Sequence, residues 1–492
     1  MRLSKVIFLT TSLTLTTQMA VAQTPTFSAT SKTIPYPAAV VVQGDINRDG
    51  YPDFLFGLNA STNIYTYKSD GVGDYVDWTI PTQYCPSVPL ALGDFQRNGK
   101  QDLLVSPGDG AQCVTYNPTF ANYANNGTGI FSIYKQFALS GNAAEAAVIA
   151  DFNGDKKLDA VVLDTQSQLE LYYGDGYGSF SGPYKITQLT GSAASMAISV
   201  YNLITGDYDG NGCPDVAWTE YEAYGQRGFQ TQLKIAYGDC KGGFKVVTQQ
   251  NVIGEIDSLQ TADLNRDGIS DIVSALDASG QGVSNPTLQI FYGQKNRTLA
   301  TKLINDPGLT GPIQVGDFNG DGYPDIAYNA VENSIAGVKI VEGDAAQSFV
   351  TSSFYALPPG RSSLVASGDY NRDGKTDLAL LDPTAGGAQF TMLMNTSAYA
   401  QGACVQPATS GINVCSPGAT SGTTVNVLAD ANNANPTVYM ELWVDGVKRV
   451  GYGSTHELRT TLTLSAGTHQ FAYFSADAAG NKNSLIKNVK VQ

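Results

Sequence analysis

Short apolar runs recur along this chain, each followed by a polar stretch. Residues 54–56, 103–105, 160–163, 216–218, 272–274, 326–328 and 378–381 are mostly apolar. Runs of this length, bounded by turn-forming residues, predict buried β-strands, and amphipathic patterns of helical length are absent. A small-residue or apolar strand precedes each run, as in 39–43 and 313–315. A variable loop follows and leads to a third strand that often ends on an aromatic, as in 169–173, 233–237 and 288–292. After a glycine-rich turn, a fourth strand opens on Phe180, Phe244 or Phe349.

Between the first and second strands of every unit lies a nine-residue polar loop, at its cleanest in Asp317-Phe318-Asn319-Gly320-Asp321-Gly322-Tyr323-Pro324-Asp325. Oxygen-bearing side chains occupy positions 1, 3, 5 and 9, and position 6 is glycine. A tight coil turns these alternate side chains inward, the carbonyl of position 7 joins them, and glycine supplies the positive φ of the sharp turn. That is the donor set of a calcium loop. Seven copies begin at Asp45, Asp94, Asp151, Asp207, Asp263, Asp317 and Asp369, spaced by 49, 57, 56, 56, 54 and 52 residues. A steady period near fifty signals a repeat architecture. Four strands per repeat, seven times, predicts an all-β fold built on a seven-bladed β-propeller. The seventh unit lacks a fourth strand, and the orphan segment Phe27–Ile34 resembles one, so it is expected to close the ring from the other end of the chain and remove an open sheet edge.

Five loops carry full ligand sets: Asp45, Asn47, Asp49 and Asp53; Asp207, Asp209, Asn211 and Asp215; Asp263, Asn265, Asp267 and Asp271; Asp317, Asn319, Asp321 and Asp325; Asp369, Asn371, Asp373 and Asp377. Tyr51, Cys213, Ile269, Tyr323 and Lys375 would add the position-7 carbonyls. The third loop keeps Asp151, Asn153, Asp155 and Asp159 but has Lys156 in place of glycine, at a left-handed cost of roughly 1 kcal/mol. The second has Asp94, Gln96, Asn98 and Asp102, so weak or absent occupancy is expected there. This grammar, over about residues 27–400, resembles the FG-GAP/VCBS repeat family, whose calcium-loop propeller also forms the head of integrin α chains. The resemblance implies five to seven structural Ca²⁺ ions on one rim and ligands on the other. It leaves the ligand itself open, because the family spans adhesins, lectins and enzymes.

The two ends of the chain read differently from the repeats. Residues 1–22 have the form of a Sec-type signal peptide, with Arg2 and Lys5 before a short apolar run and Ala20-Val21-Ala22 before the cut. Export to the periplasm, the cell surface or the medium is expected. No later run is long enough for a transmembrane helix. The propeller is assigned to 23–400, a disulfide-closed linker to 401–415 and an Ig-like β-sandwich to 416–492, where short strand-like runs replace the loops. The six cysteines pair in order as Cys85–Cys113, Cys213–Cys240 and Cys404–Cys415 if the rim assignments hold.

Charge and chemistry narrow the function. The formal charge is −15, and 20 of the aspartates sit in the seven loops, so the acidity belongs mainly to the metal sites. No nucleic-acid partner is expected. The two histidines, His456 and His469, both lie beyond the repeats, which leaves the propeller without the usual general base or a Ser-His-Asp triad. No catalytic residue is assigned. The insert around 219–230 gathers Tyr221, Tyr224, Arg227 and Phe229, which could stack on a sugar or grip a carboxylate. The reading is a secreted, monomeric, calcium-stabilised binding or adhesion protein for a glycan or surface protein. The alternatives are a polysaccharide lyase or hydrolase, and a spacer.

Overall fold

The structure is a computed structural model. It describes residues 24–34, 38–58, 63–69, 75–81, 87–107, 119–140, 143–164, 166–188, 197–223, 229–252, 255–277, 287–358, 363–384, 387–399, 404–416, 423–453 and 455–491. The signal segment, Cys85 and Cys113 lie outside them.

Seven four-stranded antiparallel sheets follow the repeats: 38–81, 87–138, 144–188, 197–252, 255–305, 309–356 and 363–395. The last is completed by Phe27–Ile34, which runs antiparallel to Gly387–Asn395 from Phe27 opposite Asn395 to Ile34 opposite Ala388. The first strand of each blade touches that of the next, and the seventh touches the first, so the ring closes. The expected propeller and its strand exchange are both observed.

The second strands read as apolar runs because both of their faces are buried. Each core cluster of the propeller joins two adjacent blades. Ile46, Leu55 and Ile64 of blade one pack with Leu92, Leu103 and Tyr123 of blade two. Phe54, Phe56 and Tyr67 meet Tyr370, Phe390 and Met392 across the closure. In every blade, the pairing of first and second strands shifts register once, for instance between Ala38 and Val40 and between Ile256 and Ser258. Such bulges bend a strand and increase its twist, which suits a sheet radiating from an axis.

The C-terminal region is a sandwich. One sheet holds Gly411–Ser416, Thr424–Asn432 and Glu457–Thr463; the other holds Val447–Gly453, Thr437–Val444, Gly467–Asp477 and Lys482–Val491. Its own core is formed by Val427, Met440, Leu442, Leu458, Phe471 and Tyr473. The strand Gly411–Ser416 lies partly in the stretch read as linker, and Cys415 within it is bonded to Cys404, with Cα atoms 5.6 Å apart. His469 lies on Gly467–Asp477 beside Asp445, and His456 precedes Glu457–Thr463 with Nδ1 2.8 Å from Asp430.

The sandwich sits against the loop-bearing rim. The Asp94 N–H donates to Asn435 Oδ1 at 2.8 Å, and the Asp151 N–H to the Ala478 carbonyl at 2.8 Å. The Gly453 N–H donates to Asp263 Oδ2 at 3.0 Å, and Arg372 to the Gln406 carbonyl at 2.9 Å. Ala478 and Ala479 enter the core between blades two and three.

Candidate metal centre

All seven loops fold alike, because two aspartates in each organise the backbone. The first accepts the N–H of position 6 on its Oδ2 at 2.8–3.0 Å in every loop. The ninth is fully buried in every loop. Its Oδ1 accepts an N–H from the end of the third strand at 2.7–2.9 Å, from Ser69, Asn125, Gly174, Gly238, Gly293, Gly343 and Asn395 in turn. In six loops its Oδ2 also accepts the N–H of position 2 at 2.8–3.0 Å. The ninth aspartate therefore ties the loop to the third strand of its own blade.

These carboxylates are held where charge is costly. Burial pushes the carboxyls of Asp53, Asp215, Asp271 and Asp377 up to about 8 and that of Asp159 to about 7, and the neighbouring loop aspartates add to the rise. A bound divalent cation would offset that crowding. The donor chemistry fits a hard ion: carboxylate and amide oxygens, with no thiol or imidazole among the sequence-assigned side chains, since Cys213 would offer only its carbonyl. In loop four, Asp207, Asp209 and Asp215 bring carboxylate oxygens within 4.8 Å of one another. Asp209 is also paired with Arg297 at 2.7 Å, and that guanidinium lies over the Tyr237 ring.

The two irregular loops differ in physical detail. Lys156 takes the glycine position at φ 63° and keeps the same bond to Asp151. In loop two the Phe95 N–H turns to the Gly93 carbonyl, and Asp102 Oδ2 is left buried without a hydrogen-bond partner.

The sequence reading missed the arginines at position 4. Arg48, Arg97, Arg266 and Arg372 all adopt positive φ. Arg266 lies over Tyr323 of the next blade at 4.1 Å and over Tyr452 of the sandwich at 4.5 Å. Arg372 lies over Tyr51 at 5.3 Å. The recurrence of Asn-Arg-Asp-Gly at 47–50, 265–268 and 371–374 was the available signal. Arg459 of the sandwich was equally unforeseen. It is 1 % exposed and sits 3.3 Å from Asp317 Oδ2 and 2.5 Å from Glu457 Oε1, with Tyr399 under its guanidinium.

The predicted disulfide across loop four is present, Cys213 to Cys240 with Cα atoms 5.1 Å apart, and it joins two connections of one rim. Of the candidate ligand residues, Tyr221 is half-buried on Asp215–Ala223 and Phe229 opens Phe229–Gly238. The pairing of Ala223 with Phe229 makes this a long hairpin. Tyr224 and Arg227 lie outside the described residues.

A family model described as an FG-GAP-like repeat matches residues 45–105, 151–218, 263–328 and 317–380, together just over half of the chain. No curated protein matches it.

Proposed function

The chain belongs to the FG-GAP-like repeat family, and on that premise we propose that it is an exported, calcium-stabilised binding or adhesion protein for a glycan or protein ligand, acting as a monomer and without catalysis. The observation that carries the reading is the tie made by the ninth aspartates, which link each loop to the third strand of its blade. Ions held beside such ties would brace the blades. Asp45, Asn47, Asp49 and Asp53, and their equivalents in the other loops, would hold them, and the ions would supply charge neutralisation and rigidity.

That reading leaves the opposite rim for the ligand, with the hairpin insert at 219–230 and its Tyr221, Tyr224, Arg227 and Phe229 as the recognition surface. The test is a glycan and surface-protein binding screen on the calcium-loaded protein, beside a Tyr224→Ala/Arg227→Ala variant, because 219–223 pair on both sides within the blade-four sheet. We expect binding to be lost in the variant while its melting temperature holds. Release of products from acidic polysaccharides during the same incubations would overturn the non-enzymatic reading.

A further inference from the structure

We infer that the edge of the rim at blades two and three carries a second binding surface, for an acidic oligosaccharide bearing carboxylate or sulfate groups. This inference rests on the reading of the protein as a binding module and gives that module a ligand class. The surface is built on the turn 175–179 of blade three. Tyr177 at its tip is 76 % exposed, and Tyr134 of blade two, beside it, is 50 % exposed. Large rings left this open on a rigid support are the apolar half of sugar recognition, because the flat face of a pyranose packs on a phenol ring.

The support is rigid for stated reasons. Asp175 Oδ1 accepts the N–H groups of Tyr177 at 2.7 Å and Ser179 at 3.0 Å. The Gly178 N–H donates to the Phe95 carbonyl at 2.9 Å, and Asn122 Nδ2 donates to the Gly178 carbonyl at 3.0 Å. The turn is therefore fastened to both its own blade and the preceding one.

Three cationic side chains lie beside the turn. A methyl group on Gly176 would meet side-chain carbons of Arg97 and Lys157, both at 3.1 Å, and one on Gly178 would meet the Tyr134 ring at 3.1 Å. Arg97 and Lys157 thus border Gly176, before Tyr177 in the chain, while Gln96 and Tyr134 border Gly178 after it. Lys135 Nζ lies 3.1 Å from Ser179 Oγ. Loop two has Asn98 where five of its six sisters carry an aspartate, so one negative charge fewer opposes Arg97 there. Of the nearby acids, Asp175 caps the turn and Asp155 is paired with Lys157 at 2.9 Å. With the Lys157–Asp155 pair neutral, Arg97 and Lys135 face one acid of the turn, Asp175, on a chain with 44 acidic and only 29 basic residues. A short anionic sugar segment fits both halves. A long duplex would meet the acidic remainder of the surface.

The experiment is calorimetric titration of the full-length, calcium-loaded protein with polygalacturonate, dextran sulfate, neutral dextran and single-stranded DNA. We expect polygalacturonate or dextran sulfate to bind, neutral dextran not to bind, and DNA to bind more weakly. Tyr177→Ala and Arg97→Gln should each weaken the anionic glycan about tenfold with the melting temperature unchanged, and Tyr224→Ala/Arg227→Ala should leave it intact. Absence of binding by both acidic glycans, equal binding by DNA, or indifference to Tyr177→Ala overturns the inference. Glycan binding that survives Tyr177→Ala but is lost in Tyr224→Ala/Arg227→Ala places the ligand at the far rim, and then the module reading stands while this one falls.

Discussion

Loops four and six share a grammar and differ in their surroundings. Loop four, 207–215, exposes Asn211 and Gly212, and nothing lies within 4 Å of where a Cβ on Gly212 would be. Loop six, 317–325, exposes none of its residues. The Tyr399 ring presses on Gly320, Tyr399 donates to the Asp317 carbonyl at 2.7 Å, and Arg459 pairs with the Asp317 side chain. Aspartate spacing decides how a loop coils. What packs over the loop decides how freely an ion reaches it, and for loop six that cover is shared by Tyr399, which follows the last propeller strand, and Arg459 of the sandwich.

The largest effect should follow calcium removal. Excess EGTA should lower the melting temperature by more than about 10 °C, because every bound ion is linked to the folded state. Release into a fluorescent chelator should be biphasic. Loop four should empty first, and loop six at least about tenfold later, since its ion must wait for the cover to open. A single phase would mean that the cover is no barrier, and an unchanged melt would mean that the loops hold no structural ion.

Arg459→Ala tests the cover directly. The substitution strands the Asp317 and Glu457 carboxylates in a shielded place, and breaking such a pair should cost about 3 kcal/mol in the calcium-free protein. With calcium bound, the ion takes over part of the neutralisation of Asp317, so the loss should be smaller. Denaturant unfolding with and without calcium measures both. Equal losses in the two conditions would show that arginine and ion do not share that carboxylate.

How much of this was readable beforehand follows from how far each interaction reaches along the chain. The loops were legible because their donors lie within nine residues and repeat. Closure by Phe27–Ile34 was legible because one unit lacked a strand and one strand lacked a unit. The seam was not. Asp317 and Arg459 are far apart in sequence, and a single arginine on a strand has no periodicity to betray it. The position-4 arginines did recur, yet their partners, Tyr51, Tyr323 and Tyr452, sit on neighbouring blades or on the sandwich, which only the ring geometry brings near. The short sandwich strands Gly411–Ser416 and Val447–Gly453 carry a weak signal because neither alternates cleanly: the first has no fully buried position and the second only Tyr452.

The smallest predicted effect isolates the motif from its surroundings. Loop three is open at its tip, where Gly154, Asp155 and Lys156 are exposed, so the cost of Lys156 is almost wholly local. At φ 63° its Cβ crowds the following carbonyl, a strain of about 1–2 kcal/mol. Lys156→Gly removes that strain but adds about 0.5–1 kcal/mol of chain entropy to the unfolded state. The net gain should fall between about 0 and 1.5 kcal/mol, the difference between these two terms, and is read as a small rise in the denaturant midpoint without calcium. With calcium the gain should grow, because the substitution also removes a positive charge beside the carboxylates of Asp151 and Asp155. A variant that gains stability without calcium but binds it no better would show that backbone strain, and not charge, sets the weakness of this loop.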